Sequence, residues 1–363
     1  MRKILISGYY GFGNFGDELI LKILLDKFKD CDVTVLTSNP RKTFDTYGVH
    51  TVYSFSMEHV MKELIYCDVL VSGGGSLLQN VTSNKSLFYY SSIIMMAQAF
   101  GKDVLIFAQG IGPIKGFLPN HVVKSIMKKA KYISVRDEKS LALLNKWKIK
   151  NANLVCDPAY SLEVEQPQRT QKVCIQLRRS DNLTDELFDK IVQQVKLRYY
   201  SREIELLSLQ DEMDVGISQV FINKLKKADP NINVKLVSGL NIQETIDRIS
   251  EYDCMIAMRF HACLVGVKYG VKTLAIAYDP KVEILAKENN LPMLSVKSSE
   301  NDYDKAFDTM ENLSRWNLME KAKSKKFDWN KTGVFDAKKE VRKSFWGKKK
   351  DNNKDKKKNG KRK

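Results

Sequence analysis

Met258-Arg259-Phe260-His261 lies between two apolar runs, residues 254–257 and 262–267. It sets a fixed cation beside one of only four histidines in the chain. A guanidinium grips a planar carboxylate or phosphate through paired hydrogen bonds, and imidazole is the side chain suited to moving protons near neutral pH. The pair therefore suits chemistry on a small anion. Taken alone it reads equally well as a helix-start arginine in a salt bridge with a histidine tucked beneath it. A second segment, Gly8-Tyr9-Tyr10-Gly11-Phe12-Gly13-Asn14-Phe15-Gly16-Asp17-Glu18, carries Gly11, Gly13 and Gly16 at the dinucleotide-binding spacing. The ribose-binding acid that this motif needs is missing, because the next apolar run ends in Leu36-Thr37-Ser38. Asp17 and Glu18 also place carboxylates at a helix start, where a pyrophosphate needs bare amides. The loop suits hydroxyls or a cation instead. Asn14 and Asp17 are candidates to hold a sugar, with Asp17 a conceivable base; alternatively Asp17 caps its helix and the glycines only shape a turn.

Ser72-Gly73-Gly74-Gly75-Ser76-Leu77-Leu78-Gln79 has no lysine after its glycines, which excludes a Walker loop. Either the glycines bring a ligand to the main chain, with Gly74, Gly75, Ser76 and Gln79 as binding candidates, or they permit close strand-to-helix packing. Arg136, in Ser134-Val135-Arg136-Asp137, stands where an anion could be captured unless Asp137 neutralises it. Gln176-Leu177-Arg178-Arg179 ends another apolar run with two guanidiniums, and strand alternation lets only one be assumed to face a cleft. In Tyr278-Asp279-Pro280-Lys281, Lys281 can hold phosphate as a point charge or lie solvated. His50, His59 and His121 sit in no comparable setting, no His/Asp/Glu cluster has metal-ligand spacing, and no Gly-x-Ser-x-Gly appears. Neither a metal nor a cofactor is expected.

These motifs need a scaffold, and the pattern supplies one. Apolar runs at 3–7, 33–36, 49–53, 68–72, 103–108, 131–135 and 153–156 read as strands separated by helix-period segments. A second series follows at 172–177, 203–208, 233–237, 253–257 and 273–277. Alternation of this kind predicts an α/β fold: two Rossmann-like, doubly wound domains facing a cleft, residues 1–162 and 172–300, joined by a polar linker at 163–171. Ligands of such sheets sit beyond the carboxyl ends of the strands, where the motifs fall. Residues 301–345 read as helices with Phe307, Met310, Leu313, Trp316 and Leu318 as apolar points, able to pack on either domain.

At 363 residues, two cores of roughly 150 residues each are the expected division. No run approaches the roughly 20 apolar residues of a membrane span, and the start resembles no secretory signal, so a cytoplasmic protein is expected. The six cysteines form no Cys-x-x-Cys and mostly lie in apolar runs, indicating neither disulfides nor zinc. Of the net charge of +17, the stretch 348–363 contributes +8 through ten basic and two acidic residues. Such a lysine-rich tail, 346–363, is expected to be disordered. It is either a solvated tail or an attachment to anionic lipid; with no interleaved aromatics, nucleic acid is not expected.

Together, 8–18, 73–79, 109–113, 135–137, 258–261 and 278–281 resemble the polysaccharide pyruvyltransferases, within them the CsaB type that modifies secondary cell-wall polymers. The resemblance covers roughly residues 1 to 300. It implies a fold similar to GT-B glycosyltransferases and phosphoenolpyruvate as donor. The implied acceptor is an N-acetylhexosamine, such as N-acetylmannosamine of a lipid-linked disaccharide, whose 4- and 6-hydroxyls become a ketal as phosphate leaves, in cell-wall biosynthesis and S-layer anchoring. Arg259 and His261 match the segment taken to bind and activate the donor. Arg136, Arg259, Phe260, His261 and Lys281 are then the donor side, with His261, Arg259 and Asp17 catalytic, and the enzyme is expected to sit in the cytoplasm, peripherally at the membrane. The alternatives are a nucleotide-sugar glycosyltransferase of the same architecture and a non-catalytic surface-binding module.

Overall fold

The computed structural model describes residues 1–339 other than 82, 165–167, 181–183 and 296. The stretch 346–363 lies outside the described residues, as do three residues of the 163–171 segment and the end of 301–345. Short runs of isoleucine, leucine and valine form strands buried on both faces, as a parallel sheet between helix layers demands. The first sheet comprises β1 (Lys3–Ser7), β2 (Asp32–Thr37), β3 (His50–Tyr53), β4 (Val69–Ser72), β5 (Gly75–Leu78), β6 (Asp103–Ile111), β7 (Tyr132–Val135) and β8 (Ala152–Leu154). Its order is β3-β2-β1-β4-β6-β7-β8, with β5 added alongside β6. The second sheet comprises β9 (Val173–Gln176), β10 (Ile204–Leu207), β11 (Val234–Val237), β12 (Cys254–Ala257), β13 (Lys272–Ile276) and β14 (Met293–Leu294), in the order β11-β10-β9-β12-β13-β14. All their pairings are parallel.

Side-chain alternation splits each strand between two cores. Ile4 and Ile6 of β1 face one helix layer while Leu5 faces the other. In the second sheet, Cys254 and Ile256 face one layer and Met255 and Ala257 the opposite one. Both sheets are doubly wound, so strand order reverses between β1 and β4 in the first and between β9 and β12 in the second. A crevice opens at such a reversal, beyond the carboxyl ends of the strands. The segments that follow those four strands are Gly8–Asn14, the Gly73-Gly74-Gly75 run, Leu177-Arg178 and Met258-Arg259.

Helix Phe15–Lys27 fixes the two halves to each other. Ile20, Leu21 and Leu24 bury against the first sheet, while Phe15, Leu19 and Ile23, spaced by four, enter the core of the second half. The Phe15 amide also donates to the Leu209 carbonyl at 2.9 Å. Helix Glu300–Glu311 packs Phe307 and Met310 into the second half, whereas Phe327, Val334 and Ala337 bury against the first. The C-terminal segment thus packs on both halves. Of the apolar points expected in 301–345, Trp316 is exposed, and the buried residues of its helix are Leu318 and Ala322.

The strand expectations also change, and β14 is an addition to them. The glycine segment expected as a loop forms β5, and β6 runs on through Gln109-Gly110-Ile111 to pair with it. Among the described residues, no helix is long and apolar enough to cross a membrane.

Candidate active site

Where the two strand-order reversals face each other, a cavity of about 350 Å³ opens between the halves. From the first half it is lined by Asn14, Gly16, Asp17, Gly75, Ser76, Gln79 and Arg136, and from the second by Arg178, Arg259, Phe260, His261 and Lys281, among others. Of the residues expected to act, Gly74 alone does not line it. A Cβ on Gly74 would stand 2.9 Å from Ile20 Cγ2, so this glycine serves strand-to-helix packing.

His261 sits in the first turn of helix Phe260–Lys268, directly after β12. Its ring is clamped by three neighbours. Phe260 meets it edge-on at 5.1 Å between centroids. Nε2 faces Asp157 Oδ1 at 3.6 Å and, although buried, makes no hydrogen bond among the described residues. Nδ1 lies against Gly16, where a Cβ would come within 1.9 Å of it. Only glycine lets the first turn of helix Phe15–Lys27 approach the imidazole this closely. The same approach brings in Asp17, because Asn14 rather than Asp17 caps the helix, its Oδ1 accepting from the Gly16 amide at 3.0 Å. Burial pushes the Asp17 carboxyl up to about 6, against the opposing pull of His261, Arg136, Lys281 and Arg259.

Asp157 belongs to no motif in the sequence; its one local signal is that it immediately follows the run 153–156. It starts a short 3₁₀ turn, accepting from the Ala159 amide, and also accepts from Arg136 Nη1 at 2.7 Å. Burial would raise its carboxyl, but His261 and Arg136 outweigh that and hold it well below the usual carboxylate range. A fixed anion is thereby shared by a guanidinium and an imidazole. Arg136 is neutralised by this residue rather than by Asp137, which instead caps helix Glu138–Lys146. Its Nη2 reaches Ser76 Oγ at 3.1 Å, and its guanidinium lies 5.2 Å from the Phe260 ring centroid.

The cations divide into committed and available ones. Arg259 is committed: Nε and Nη2 grip Asp214 at 2.9 and 2.6 Å, and Nη2 also reaches Gln210 Oε1 at 3.1 Å. Asp214 is fully buried, so Arg259 is first of all its counter-ion. Arg178 and Lys281 have no carboxylate partner among the described residues. Arg178 Nη1 donates to Tyr278 Oη at 3.1 Å. Burial, then Arg136, lowers the Lys281 ammonium from its ordinary range, while Asp279, Asp17 and Asp137 oppose that. These two are available to an anion entering the cavity. Of the two guanidiniums after β9, Arg178 is the one that lines the cavity.

Most of this assembly, including Asp17, Arg136, Asp157, Arg178, Arg259 and His261, falls within one sequence pattern. The family model for polysaccharide pyruvyl transferases matches residues 14–280. The chain belongs to the polysaccharide pyruvyl transferase family. It is therefore a transferase acting on a polysaccharide acceptor. No curated protein matches it by sequence. Among solved structures, the UDP-GlcNAc 2-epimerase of Methanocaldococcus jannaschii is similar with a TM-score of 0.61 and 11% identity, over 93% of this chain and 99% of that one. Anabaena HepE, solved with UDP and glucose, gives 0.60 and 11%, over 93% and 97%. S. aureus MnaA, solved with UDP, gives 0.62 and 8%, over 93% and 94%. At these identities the likeness establishes the two-domain, GT-B-like fold.

The buried pair in this pyruvyl transferase changes what Arg259→Ala should do. Removing the guanidinium leaves a fully buried carboxylate without its counter-ion, although Gln176 Nε2 and the Leu209 and Gln210 amides still donate to it, and losing one partner of a buried ion pair costs up to about 3–5 kcal/mol. We expect Arg259→Ala to lower the unfolding free energy by that order as well as reducing turnover, and Arg259→Ala/Asp214→Ala to recover part of the stability. Denaturant unfolding of the two variants checks this.

Proposed function

We propose that the enzyme transfers the pyruvyl group of phosphoenolpyruvate onto the 4- and 6-hydroxyls of an N-acetylhexosamine, with N-acetylmannosamine of a lipid-linked disaccharide as the first acceptor to test. The observation that carries this reading is the juxtaposition in one cavity of two cations, Arg178 and Lys281, that have no carboxylate partner among the described residues, with a clamped histidine and a carboxyl raised to about 6. Phosphoenolpyruvate is a small, dense anion with a carboxylate and a phosphate. Arg178 and Lys281 bind these groups, while Arg136, Phe260 and Arg259 wall the donor side.

His261 delivers a proton to the donor's methylene carbon, and positive charge develops at the adjoining carbon. One sugar hydroxyl attacks that carbon and yields its proton to Asp17. The bond to the phosphate oxygen then breaks, and the second hydroxyl closes the ketal. Of the two hydroxyl protons, one balances the proton now in the methyl group and the other leaves with phosphate. Asn14, the Gly75 main chain, Ser76 and Gln79 face the acceptor, and the enzyme works at the cytoplasmic face of the membrane.

The test offers purified enzyme either phosphoenolpyruvate or a UDP-sugar, together with the amino-sugar acceptor, and measures phosphate release and ketal product. Glycoside formation from the UDP-sugar, with no ketal, overturns the reading. Within the same assay, Arg178→Ala and Lys281→Ala should each raise KM for phosphoenolpyruvate by about tenfold to a hundredfold, the loss of one charge-assisted contact. The acceptor KM should move little.

A further inference from the structure

Two loops beside the cavity are tied into one projection. The Asn80 carboxamide accepts from the Lys115 amide at 2.7 Å and donates to the Lys115 carbonyl at 2.8 Å. Asn120 holds the second loop from within, donating to the Ile114 and Gly116 carbonyls at 2.9 and 2.8 Å. What these bonds present is apolar: Phe117 is 88% exposed, Leu118 61% and Val81 60%. Burying such side chains in the protein would be favourable, and a loop braced to keep them in solvent points to something else that covers them.

Charge indicates what that is. From residue 69 to 136 the chain holds seven lysines and a single acid, Asp103, which is already paired with Arg2 and Lys131. Helices Asn84–Ala99 and Phe117–Lys129 contain no carboxylate. Lys85 and Lys115 flank the apolar tip. An apolar projection flanked by two ammonium groups complements a surface with phosphates outside and hydrocarbon within. The projection also adjoins the acceptor side of the site, since Gln79 and Ser86, which line the cavity, belong to the same segment.

We propose that these tied loops are an interfacial anchor, with Phe117, Leu118 and Val81 entering the acyl edge of an anionic bilayer while Lys85 and Lys115 lie among its headgroup phosphates. Its consequence for catalysis, delivery of the acceptor, rests on the proposed lipid-linked substrate. Membrane binding itself does not.

The full chain is mixed with phosphatidylglycerol-containing vesicles or with phosphatidylcholine vesicles alone, at raised salt to screen the lysine-rich 348–363 stretch. Phe117→Ser/Leu118→Ser should weaken partition to the anionic vesicles by about tenfold or more, because two large apolar side chains no longer leave water. Phe117→Trp should show indole emission quenched by brominated acyl chains. Turnover of a water-soluble, lipid-free acceptor should be unchanged in the double serine variant, while turnover of vesicle-embedded acceptor falls. Equal partition of wild type and variant, or no quenching at position 117, overturns the anchor. So does a wild type that self-associates through this face without binding vesicles, which would make it an interface between copies. If vesicle insertion is seen but neither acceptor is pyruvylated, the reaction assigned to the cavity fails and the anchor stands.

Discussion

His261→Ala is expected to fold normally and to lose ketal formation by about 10²- to 10⁴-fold, the range a positioned general acid contributes. The first half of that expectation follows from the packing. His261 Nε2 makes no hydrogen bond among the described residues, so truncation leaves no partner there stranded beyond Asp157, and Asp157 keeps Arg136 at 2.7 Å. The second half follows from the clamp, which holds the imidazole assigned as general acid in place at the cavity wall beside Asp17, the carboxyl assigned as base. Gly16→Ala tests the clamp without touching the ring's chemistry. Its methyl would need the space 1.9 Å from Nδ1, so either the ring or the helix start must shift. A displacement near 1 Å at a reacting group can cost about a hundredfold. Phosphate release from phosphoenolpyruvate, measured for both variants beside circular dichroism, decides the matter: wild-type rates in His261→Ala would remove the histidine from the reaction.

The contrast between His261 and its partner shows what a sequence exposes. His261, Arg259, Arg136, Lys281 and Asp17 were legible because each follows an apolar run that ends at the carboxyl edge of a sheet, and in a doubly wound fold those edges converge. Asp157 and Asp214 were not, because their roles lie in partners 21 and 45 residues away in sequence, Arg136 and Arg259. Locally, Asp214 reads as one more acid in the Asp211-Glu212-Met213-Asp214 helix start, and nothing nearby marks it as buried. Arg178 cannot be told from Arg179 by sequence for a related reason: alternation names two faces but does not say which one meets the cleft. β5 was missed because Gly-Ser-Leu-Leu has little strand propensity of its own, and pairs only where β6 extends to Ile111 to receive it.

Asp17→Asn should abolish the acidic limb of the pH profile. An accepting carboxylate must be ionised, so activity is expected to rise as pH passes through about 6 and level above it. Glu18 complicates the limb, since burial pushes its carboxyl up to about 7 while its Oε1 accepts from the Gly11 amide at 2.7 Å. Glu18→Gln keeps an oxygen for that bond, so it should retain the limb near 6, whereas Asp17→Asn loses both limb and turnover. Stability should move the other way. A carboxyl raised from 3.8 to about 6 on folding binds its proton more tightly in the native state, so its contribution is full below 3.8 and is lost as pH climbs through 6. Above that, the ionised group destabilises the fold by at most about 3 kcal/mol, and by less to the extent that the open cavity hydrates it. Asp17→Asn should therefore melt higher than the wild type at pH 8 and equally at pH 4, while being the less active enzyme at both. A variant that loses activity without gaining stability at pH 8 would show that Asp17 is held ionised by its neighbouring cations, so that it supports the fold instead of straining it as a base.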